Sequence, residues 1–275
     1  MALLDLLHKQ PSVRLIVAHF DHGIRLDSAE DRELVHQVAA GHGLPFVFDE
    51  GRLGAGASEA EARQARYKFL HGVRAASGAR AIVTAHHQDD ALETAILNLL
   101  RGTDRRGMSA LRNRHDVRRP LLEVPKIDIV KYAQDRGLQW REDSTNQNEV
   151  YLRNYIRRRI LPRFSPEDRQ QFWQLMQRLQ AVNQELDTLL INQLHLQPAA
   201  GRLNRVWFTL LPHNVAREVM ATWLRAHGLR DFDRKTLERL VVGSKVSATG
   251  KQIDALQGVK VRINRDNLAL EGLER

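Results

Sequence analysis

The chain has 275 residues, of which 43% are hydrophobic and 27% charged, and this length suffices for a large core and for two domains. It contains no cysteine, which excludes disulfides, thiolate metal sites, iron–sulfur clusters and cysteine nucleophiles. No apolar run approaches the roughly 20 residues of a membrane span and the N-terminus lacks signal-peptide features, so we expect a cytoplasmic protein with no membrane partner.

The net charge of +9 is unevenly distributed along the chain. Residues 1–150 carry 21 lysines and arginines against 21 aspartates and glutamates, whereas residues 151–275 carry 21 against 12. Such asymmetry favours a polyanionic partner held beside a neutral chemical domain. A solvated basic surface without a partner explains the same charges equally well.

Helix and strand patterns alternate over the first 100 residues. Three short apolar runs are typical of buried parallel strands, at 14–20, 45–48 and 81–85. One helical pattern precedes the first run, at 2–9. Two more separate the runs: one begins at Asp27 or Ser28, and the other extends from Ser58 to about 76. Because parallel neighbours need crossover connections, this alternation predicts an α/β fold with a parallel, Rossmann-like sheet.

The remainder of the chain is predicted to be mostly helical. A helix near 126–136 is followed by YLRNYIRRRILPRF, which has five arginines in 14 residues and an apolar seam of Leu152, Ile156 and Ile160. A long amphipathic helix is predicted over about 167–193. Two more helices, near 212–227 and 233–241, and a hairpin of VKVRI and NLALE then form a small α+β unit. We therefore expect a catalytic domain at 1–165, a helical linker at 166–198 and a substrate-binding domain at 199–275.

Two polar clusters follow predicted strands, where open parallel sheets bind their ligands. The first is the run from His19 to Arg25, and the second contains two histidines and three carboxylates, namely His86, His87, Asp89, Asp90 and Glu93. On a helix that starts near Gln88, the three carboxylates are expected to share one exposed face. Acidic residues in the first turns of a helix are also common solvated caps, so this simpler interpretation stays open for each residue alone.

The order and spacing of several motifs resemble those of a known family. HFDHGIR, SEAEARQARYKFL, TAHHQDDALETAILNLLRGT, RPLLEVPK, EDSTN and YLRNYIRRRILP are similar to the motifs of the tRNA(Ile)-lysidine synthetases, members of the N-type ATP pyrophosphatase or PP-loop group. The resemblance covers residues 1–165 closely and the unit after about residue 200 more loosely. It implies the adenine nucleotide alpha hydrolase-like form of the parallel sheet.

The start of the chain departs from the family pattern. Family members begin with a strand and a Ser-Gly-Gly-x-Asp-Ser loop around the ATP phosphates, whereas this sequence starts at residues that normally follow that loop. We therefore expect an N-terminally truncated sheet, an incomplete phosphate cradle and exposed strand edges. The expectation for this exact polypeptide is poor folding and no activity, and for a version with the loop it is an active enzyme.

The resemblance implies an RNA-modifying ligase that uses ATP and Mg²⁺. The implied reaction joins L-lysine to C2 of the wobble cytidine in the CAU anticodon of tRNA(Ile), which changes the codon specificity from AUG to AUA. ATP first adenylates the C2 oxygen and releases pyrophosphate, and the lysine amine then attacks C2 and expels AMP. A homodimer is plausible on the same resemblance.

The resemblance also implies roles for individual residues. Asp90 and Glu93 are assigned to lysine, because a cationic amine needs carboxylates, while Asp89, His86 and His87 shape the site or assist Mg²⁺ and proton movement. The residues expected to contact the nucleotide are Ala18, His19, His22, Arg25 and Arg101. Those expected to contact tRNA are Arg153, Asn154, Arg157, Arg158 and Arg159. A turn at Asp143, Thr145 and Asn146 is placed near the cytosine pocket, with a purely structural loop as the alternative, and no dedicated metal site is assigned.

Three other functions remain open from the sequence. A metal-dependent phosphohydrolase could use as ligands His86, His87, Asp89 and Asp90, with Asp21 and His22 in support. A tRNA thiolation enzyme of the same group is a weaker alternative, because those that rely on cysteines or clusters could not work with this chain. A non-catalytic RNA-binding protein would bind tRNA in a salt-dependent way without binding ATP.

Overall fold

The chain forms two compact units, Met1–Met176 and Gln177–Arg275. A computed structural model describes residues 1–23, 28–51, 53–54, 56–103, 106–109, 111–141, 151–193, 201–229, 232–256 and 258–272. The first unit contains the parallel strands and the second an antiparallel sheet. The predicted boundaries at 165 and 198 stay a prediction, since a single long helix crosses the division between the two units.

Helices and strands alternate in the first unit, as the sequence predicts. The elements up to the second polar cluster are α1 (Ala2–His8), β1 (Val17–Asp21), α2 (Ser28–Gly41), β2 (Phe46–Glu50), α3 (Glu59–Ser77), β3 (Ile82–Val83) and α4 (Gln88–Leu100). Those that follow are β4 (Val117–Arg118), α5 (Lys126–Asp135), α6 (Leu152–Tyr155), a π-helical turn (Ile156–Ile160) and a 3₁₀ turn (Leu161–Arg163). The three predicted strands are all present, and the third is shorter than its apolar run.

The strands of the first unit pair in parallel. β1 pairs with β2, with Val17 opposite Phe46, and β3 pairs with β4, with Ile82 opposite Val117. Within the described part of the chain the two pairs are not hydrogen-bonded to each other. The predicted α/β class is confirmed, and the polar clusters lie where predicted, beyond the carboxyl ends of β1 and β3.

α4 is the central packing element of the first unit. Its apolar face, which includes Leu92 and Ile96, packs in one cluster with Ile156, Leu161 and Trp173. The apolar seam predicted after residue 151 is thus partly correct, because Ile156 is fully buried and Ile160 packs against the cluster. It is wrong for Leu152, the first residue of α6, whose exposure of 43% places it outside that cluster.

The second unit packs helices against an antiparallel sheet. α7 (Pro166–Gln193) runs from the first unit into it and precedes β5 (Arg202–Asn204), α8 (Arg205–Leu210), α9 (His213–Ala226), α10 (Arg234–Val246), β6 (Gln252–Leu256), β7 (Val259–Ile263) and β8 (Asn267–Glu271). The strand order is β5-β8-β7-β6, and β7 and β8 form the predicted hairpin. Residues of β7 alternate between buried and exposed, as expected for a sheet with one face on a core.

α3 begins at a capping box that confirms the predicted N-cap. The Glu61 amide donates to Ser58 Oγ at 3.2 Å, and the Ser58 amide donates to Glu61 Oε2 at 2.8 Å. Two backbone donors that a helix leaves without intrahelical partners are therefore satisfied. α3 also carries Arg63 and Arg66, whose charges act on His86 just after β3, so this cap helps to position them.

Ser58→Ala should destabilise the first turn of α3 by about 1 kcal/mol, because it removes one half of the capping box. Native-state hydrogen exchange of the α3 amides measures this loss. Ser77→Ala is the matched control at the other end of α3, where the hydroxyl only donates to carbonyls of the last turn, and its expected effect is below about 0.5 kcal/mol. Equal effects of the two changes would contradict the capping role.

Candidate active site

The first polar cluster begins with a buried aspartate at the end of β1. The Gly23 amide donates to Asp21 Oδ1 at 2.8 Å, and Gly23 has the positive φ of 66° that favours glycine. Burial raises the pKa of Asp21, but hydrogen bonds from Gly23 and Ser28 outweigh it and hold that pKa below its ordinary value. An ionised Asp21 therefore fixes the turn that leads out of the strand.

The residues predicted to contact the nucleotide lie in different surroundings. Ala18 and His19 are half-buried residues of β1, and His22 is half-buried just after it. Burial lowers the pKa of His19, which favours its neutral imidazole at pH 7. Arg101 is exposed at the end of α4, and Arg25 lies outside the described residues.

The second polar cluster begins with two neutral histidines. The Thr84 hydroxyl lies 2.8 Å from His86 Nδ1, and burial lowers the pKa of His86 to about 4, against the opposing effect of Asp90. His87 is the N-cap of α4, and burial lowers its pKa as well, with Asp90 again opposing. Both rings can therefore accept hydrogen bonds near pH 7 without adding positive charge.

Asp89 connects α4 to two later helices. Its Oδ1 accepts from the Lys126 amide at 3.1 Å, at the start of α5, and its Oδ2 accepts from Arg169 Nη1 at 2.9 Å. The carboxylate thereby neutralises a guanidinium of α7 and caps the first turn of α5. Asp89 consequently has a structural role and faces other partners than Asp90 and Glu93 do.

Asp90 and Glu93 together bind the guanidinium of Arg157. Arg157 donates to the two carboxylate oxygens of Glu93 at 2.6 and 2.8 Å and to Asp90 Oδ1 at 3.2 Å. Asp90 Oδ2 also accepts from the His87 amide at 3.0 Å. The side chain of Glu93 is only 1% exposed, against 19% for that of Asp90, so Asp90 is the carboxylate that solvent reaches.

Burial and pairing have opposite effects on this ion pair. Burial raises the pKa of Glu93, and the hydrogen bonds and charge of Arg157 act against that increase. Burial alone would lower the pKa of Arg157, but hydrogen bonding to Glu93 and the charges of Glu93 and Asp90 raise it. A bidentate contact of this kind favours the ionised forms of both partners, so the site holds an organic cation against two carboxylates.

The residues predicted to contact tRNA divide into buried and exposed ones. Arg153 donates to Glu59 Oε1 at 2.6 Å and to Thr94 Oγ1 at 2.9 Å, and Arg157 binds the carboxylates described above. Asn154 is buried. The two exposed members of the set are Arg158 and Arg159. The predicted turn at Asp143, Thr145 and Asn146 lies outside the described residues.

The structure adds two arginines that the sequence analysis did not select. Arg169 binds Asp89, and Arg119 lies near enough to His86 to lower its pKa. The contact between Arg169 and Asp89 joins residues 80 positions apart. Since arginine is frequent throughout this chain, no local pattern distinguishes Arg169. Arg119 is the first residue of the motif RPLLEVPK, and that motif could have selected it.

The described residues do not form a metal site. They contain no group of three or more histidine, cysteine, aspartate or glutamate side chains placed to hold an ion, because Asp89 points towards Arg169 while Asp90 points towards Arg157. In the same part of the chain, no helix combines the length and the apolar character that crossing a bilayer requires.

Parallel strands joined by helices, with ionisable residues collected at the strand carboxyl ends, define a ligand-binding α/β protein. The family model described as a PP-loop domain matches residues 1–164. A tRNA(Ile)-lysidine synthase of Parasynechococcus marenigrum is 32% identical over 292 aligned positions, which cover 98% of this chain and 85% of the relative. The chain belongs to the PP-loop family and, within it, to the family of the tRNA(Ile)-lysidine synthases.

Two further curated relatives align with about three fifths of this chain. The tRNA(Ile)-lysidine synthase of Solibacter usitatus is 37% identical over 61% of this chain, and that of Thermus thermophilus is 41% identical over 58%. These matches cover 39% and 32% of the relatives, so the chain spans well under half of their length.

A solved structure has the same fold. The U34-tRNA thiolase NcsA from Methanococcus maripaludis, with its [4Fe-4S] cluster, matches with a TM-score of 0.51 and 14% identity, over 64% of this chain and 66% of that one. The likeness confirms the predicted fold. The cluster does not carry over, since this chain has no cysteine to ligate it.

Acidification should destabilise the first unit through His86. The pKa of His86 is about 4 in the folded protein and 6.5 ordinarily. Between these two pH values the unfolded chain binds the proton more readily than the folded protein, so stability falls as the pH drops below 6.5. Between pH 7 and pH 5 the loss from this group is about 2 kcal/mol.

Denaturant unfolding of wild type and His86→Gln at both pH values measures this loss. We expect the pH dependence to shrink by about that amount in His86→Gln. His115→Gln, which changes an exposed histidine, should leave the pH dependence as it is in wild type. An unchanged dependence in His86→Gln would contradict the assignment.

Proposed function

We propose that the chain carries the catalytic site of a tRNA(Ile)-lysidine synthase. The reaction attaches L-lysine to C2 of the wobble cytidine in the CAU anticodon of tRNA(Ile) and changes its codon specificity from AUG to AUA. The C2 oxygen attacks the α-phosphorus of ATP and pyrophosphate leaves. The lysine side-chain nitrogen then attacks C2, loses a proton, and AMP leaves with the former C2 oxygen.

The observation that carries the proposal is the pair of carboxylates that already holds an organic cation. Arg157 lies against Asp90 and Glu93 with distances of 2.6 to 3.2 Å, so the site can balance a positive charge in a mostly buried setting. A lysine ammonium group also needs negative charge to balance it when it is buried. We therefore assign Asp90 and Glu93 to the substrate lysine.

Lysine can engage the two carboxylates to different extents. The partly exposed Asp90 is accessible while Arg157 stays in place, whereas the buried Glu93 becomes accessible only if the ammonium group replaces the guanidinium. We infer that lysine binds Asp90 first and exchanges with Arg157 at Glu93. The exchange replaces one cation by another, so it leaves no buried carboxylate without a partner.

The neighbouring groups suit the transfer of a proton from lysine. The amine must lose a proton before it attacks, and its ordinary pKa is about 10.4. Asp90 contacts the amide of His87, and His86 is neutral beside it, so a carboxylate and an uncharged imidazole are both at hand as acceptors. Asp89, bound to Arg169, keeps α4 in position.

The nucleotide and RNA contacts are proposals of the same kind. Ala18, His19 and His22, at the carboxyl end of β1, lie where ligands of parallel sheets bind, and we propose Arg25 and Arg101 as further contacts. The exposed Arg158 and Arg159 are the best placed of the predicted RNA contacts. Phosphate contacts of this type give salt-dependent affinity with little sequence reading.

Magnesium is expected as the ion that accompanies ATP. The described residues contain no group of three or more ligating side chains, and this ion usually takes only one or two protein carboxylates besides the phosphate oxygens. The cytoplasmic location and the homodimer stay predictions.

The alternative functions have weaker support. A metal-dependent phosphohydrolase needs converging ligands, and the histidines and carboxylates of the second cluster do not converge on one point. Thiolation chemistry that depends on cysteine is excluded by composition. A tRNA-binding protein without catalysis remains as an outcome of the test.

Transfer of radiolabelled lysine to a tRNA(Ile) transcript with a CAU anticodon tests the proposal. The chain is assayed as it stands and with a strand and a Ser-Gly-Gly-x-Asp-Ser segment joined before Met1. We expect ATP-dependent transfer by at least one form, and a drop of a hundredfold or more in Asp90→Asn, because the ammonium group loses its accessible carboxylate.

Glu123→Gln, which changes an exposed carboxylate outside the site, should retain full transfer. A transcript with a UAU anticodon should accept no lysine. Binding of tRNA by both forms without any lysine transfer would instead support the non-catalytic function.

A further inference from the structure

Three arginines surround the side chain of Tyr67 on α3. The guanidinium carbons of Arg63 and Arg66 lie 4.7 and 5.9 Å from the centre of the Tyr67 ring. Arg63 Nη2 and Arg119 Nη2 each donate to the Tyr67 hydroxyl oxygen at a distance of 3.5 Å. Since these bonds are long for N–H donors, both guanidinium groups retain capacity for a stronger acceptor.

Arg119 is the most deeply buried member of this group. The residue is 5% exposed, Nη1 donates to the Arg112 carbonyl, and Nε is buried with no hydrogen-bond partner. In the described part of the chain, no carboxylate forms a salt bridge with Arg63, Arg66 or Arg119. Burying a guanidinium without a counter-charge costs free energy. The cluster therefore has an unmet need for a partner of negative charge.

The charges near Arg66 lead to the same conclusion. Burial lowers the pKa of Arg66, and the positive charges of Arg63 and Arg153 lower it further. Tyr67 and the Glu59 carboxylate act in the opposite direction, but Tyr67 is not a carboxylate and Glu59 is already bound to Arg153 at 2.6 Å. The repulsion within the cluster is therefore not balanced by a nearby acid of its own.

The position in the fold is that of a ligand site. Arg119 directly follows β4 and His86 follows the parallel β3, so both lie beyond strand carboxyl ends, where α/β proteins bind ligands. The Tyr67 oxygen uses its lone pairs to accept from two arginines, which leaves its own hydrogen to donate. Hydroxyl and guanidinium donors are thus grouped around one point.

We propose that Arg63, Arg66, Arg119 and the Tyr67 hydroxyl form a binding site for a phosphate group. Guanidinium groups match phosphate oxygens in geometry and charge, and lose little hydration when they bind them. The choice of phosphate rests on the proposed function, which offers two sources, the phosphates of ATP and the phosphodiester of the anticodon loop. The unbalanced charge of the cluster does not rest on that function.

Binding of two probes to the full chain tests the site. Inorganic pyrophosphate and an anticodon stem-loop RNA are titrated separately by calorimetry into wild type and Arg63→Gln, a half-buried position. We expect at least a tenfold loss of affinity for one probe, because a charge-assisted hydrogen bond is removed. Arg80→Gln is the charge-matched control, since it changes an exposed arginine before β3, at the opposite end of that strand, and should bind both probes like wild type.

The two probes distinguish the source of the phosphate. A loss confined to pyrophosphate assigns the site to ATP, and a loss confined to the RNA assigns it to the anticodon loop. Wild-type affinity of Arg63→Gln for both probes, with its fold intact by circular dichroism, would overturn the proposal. Absence of lysine transfer with anion binding retained would count against the proposed function and leave this site standing.

Two further measurements separate binding from a structural role. Arg119→Lys keeps the charge but loses the planar donor group, so it should weaken the same probe. If pyrophosphate binds in the cluster, its negative charge should raise the pKa of His86, measured by NMR titration with His86→Gln for assignment. A pKa that stays constant with saturating pyrophosphate would place that anion elsewhere.

Discussion

The buried carboxylate of Glu93 is the constraint on which the first unit depends. It lies 1% exposed on α4, the helix that forms the centre of the core, and a charge in such a place is tolerated only with a well-placed partner. Arg157 supplies that partner through two bonds of 2.6 and 2.8 Å. This pairing helps to fix the segment from α6 to the π-helical turn against α4. The neighbouring residue Ile156 supports the same position, because it is fully buried against α4.

The same ion pair connects stability with the proposed chemistry. Carboxylates arranged to hold a guanidinium are also arranged to hold an ammonium group, so the substrate can replace a side chain that was needed for folding. Asp89 has a structural role instead, since its hydrogen bonds to Arg169 and to the start of α5 keep α4 in place. The neutral histidines add acceptors without repelling the cation.

Local features of this protein could be predicted from sequence, and long-range partners could not. The parallel strands, the Ser58 cap and the hairpin of β7 and β8 follow from patterns within a few residues, and they were confirmed. Helical spacing also predicted that Asp90 and Glu93 lie together. The predicted exposed face shared by three carboxylates was wrong, because Asp89 binds Arg169 instead and Glu93 is only 1% exposed. The contacts of Glu93 with Arg157 and of Asp89 with Arg169 join positions 64 and 80 residues apart, and helical spacing carries no signal for them.

A double-mutant cycle on Glu93 and Arg157 tests this account most directly. Glu93→Gln, Arg157→Met and the double variant are compared with wild type by hydrogen exchange of the α4 amides, which reports the free energy of opening of the first unit. The account predicts that Arg157→Met costs about 3 kcal/mol, because Glu93 loses both hydrogen bonds and keeps, in the described part of the chain, only the contact with Arg153 Nε at 4.0 Å. It also predicts that the double variant recovers at least about 2 kcal/mol of the summed losses. Additive effects within about 0.5 kcal/mol would show that the pair is not coupled and would contradict the account.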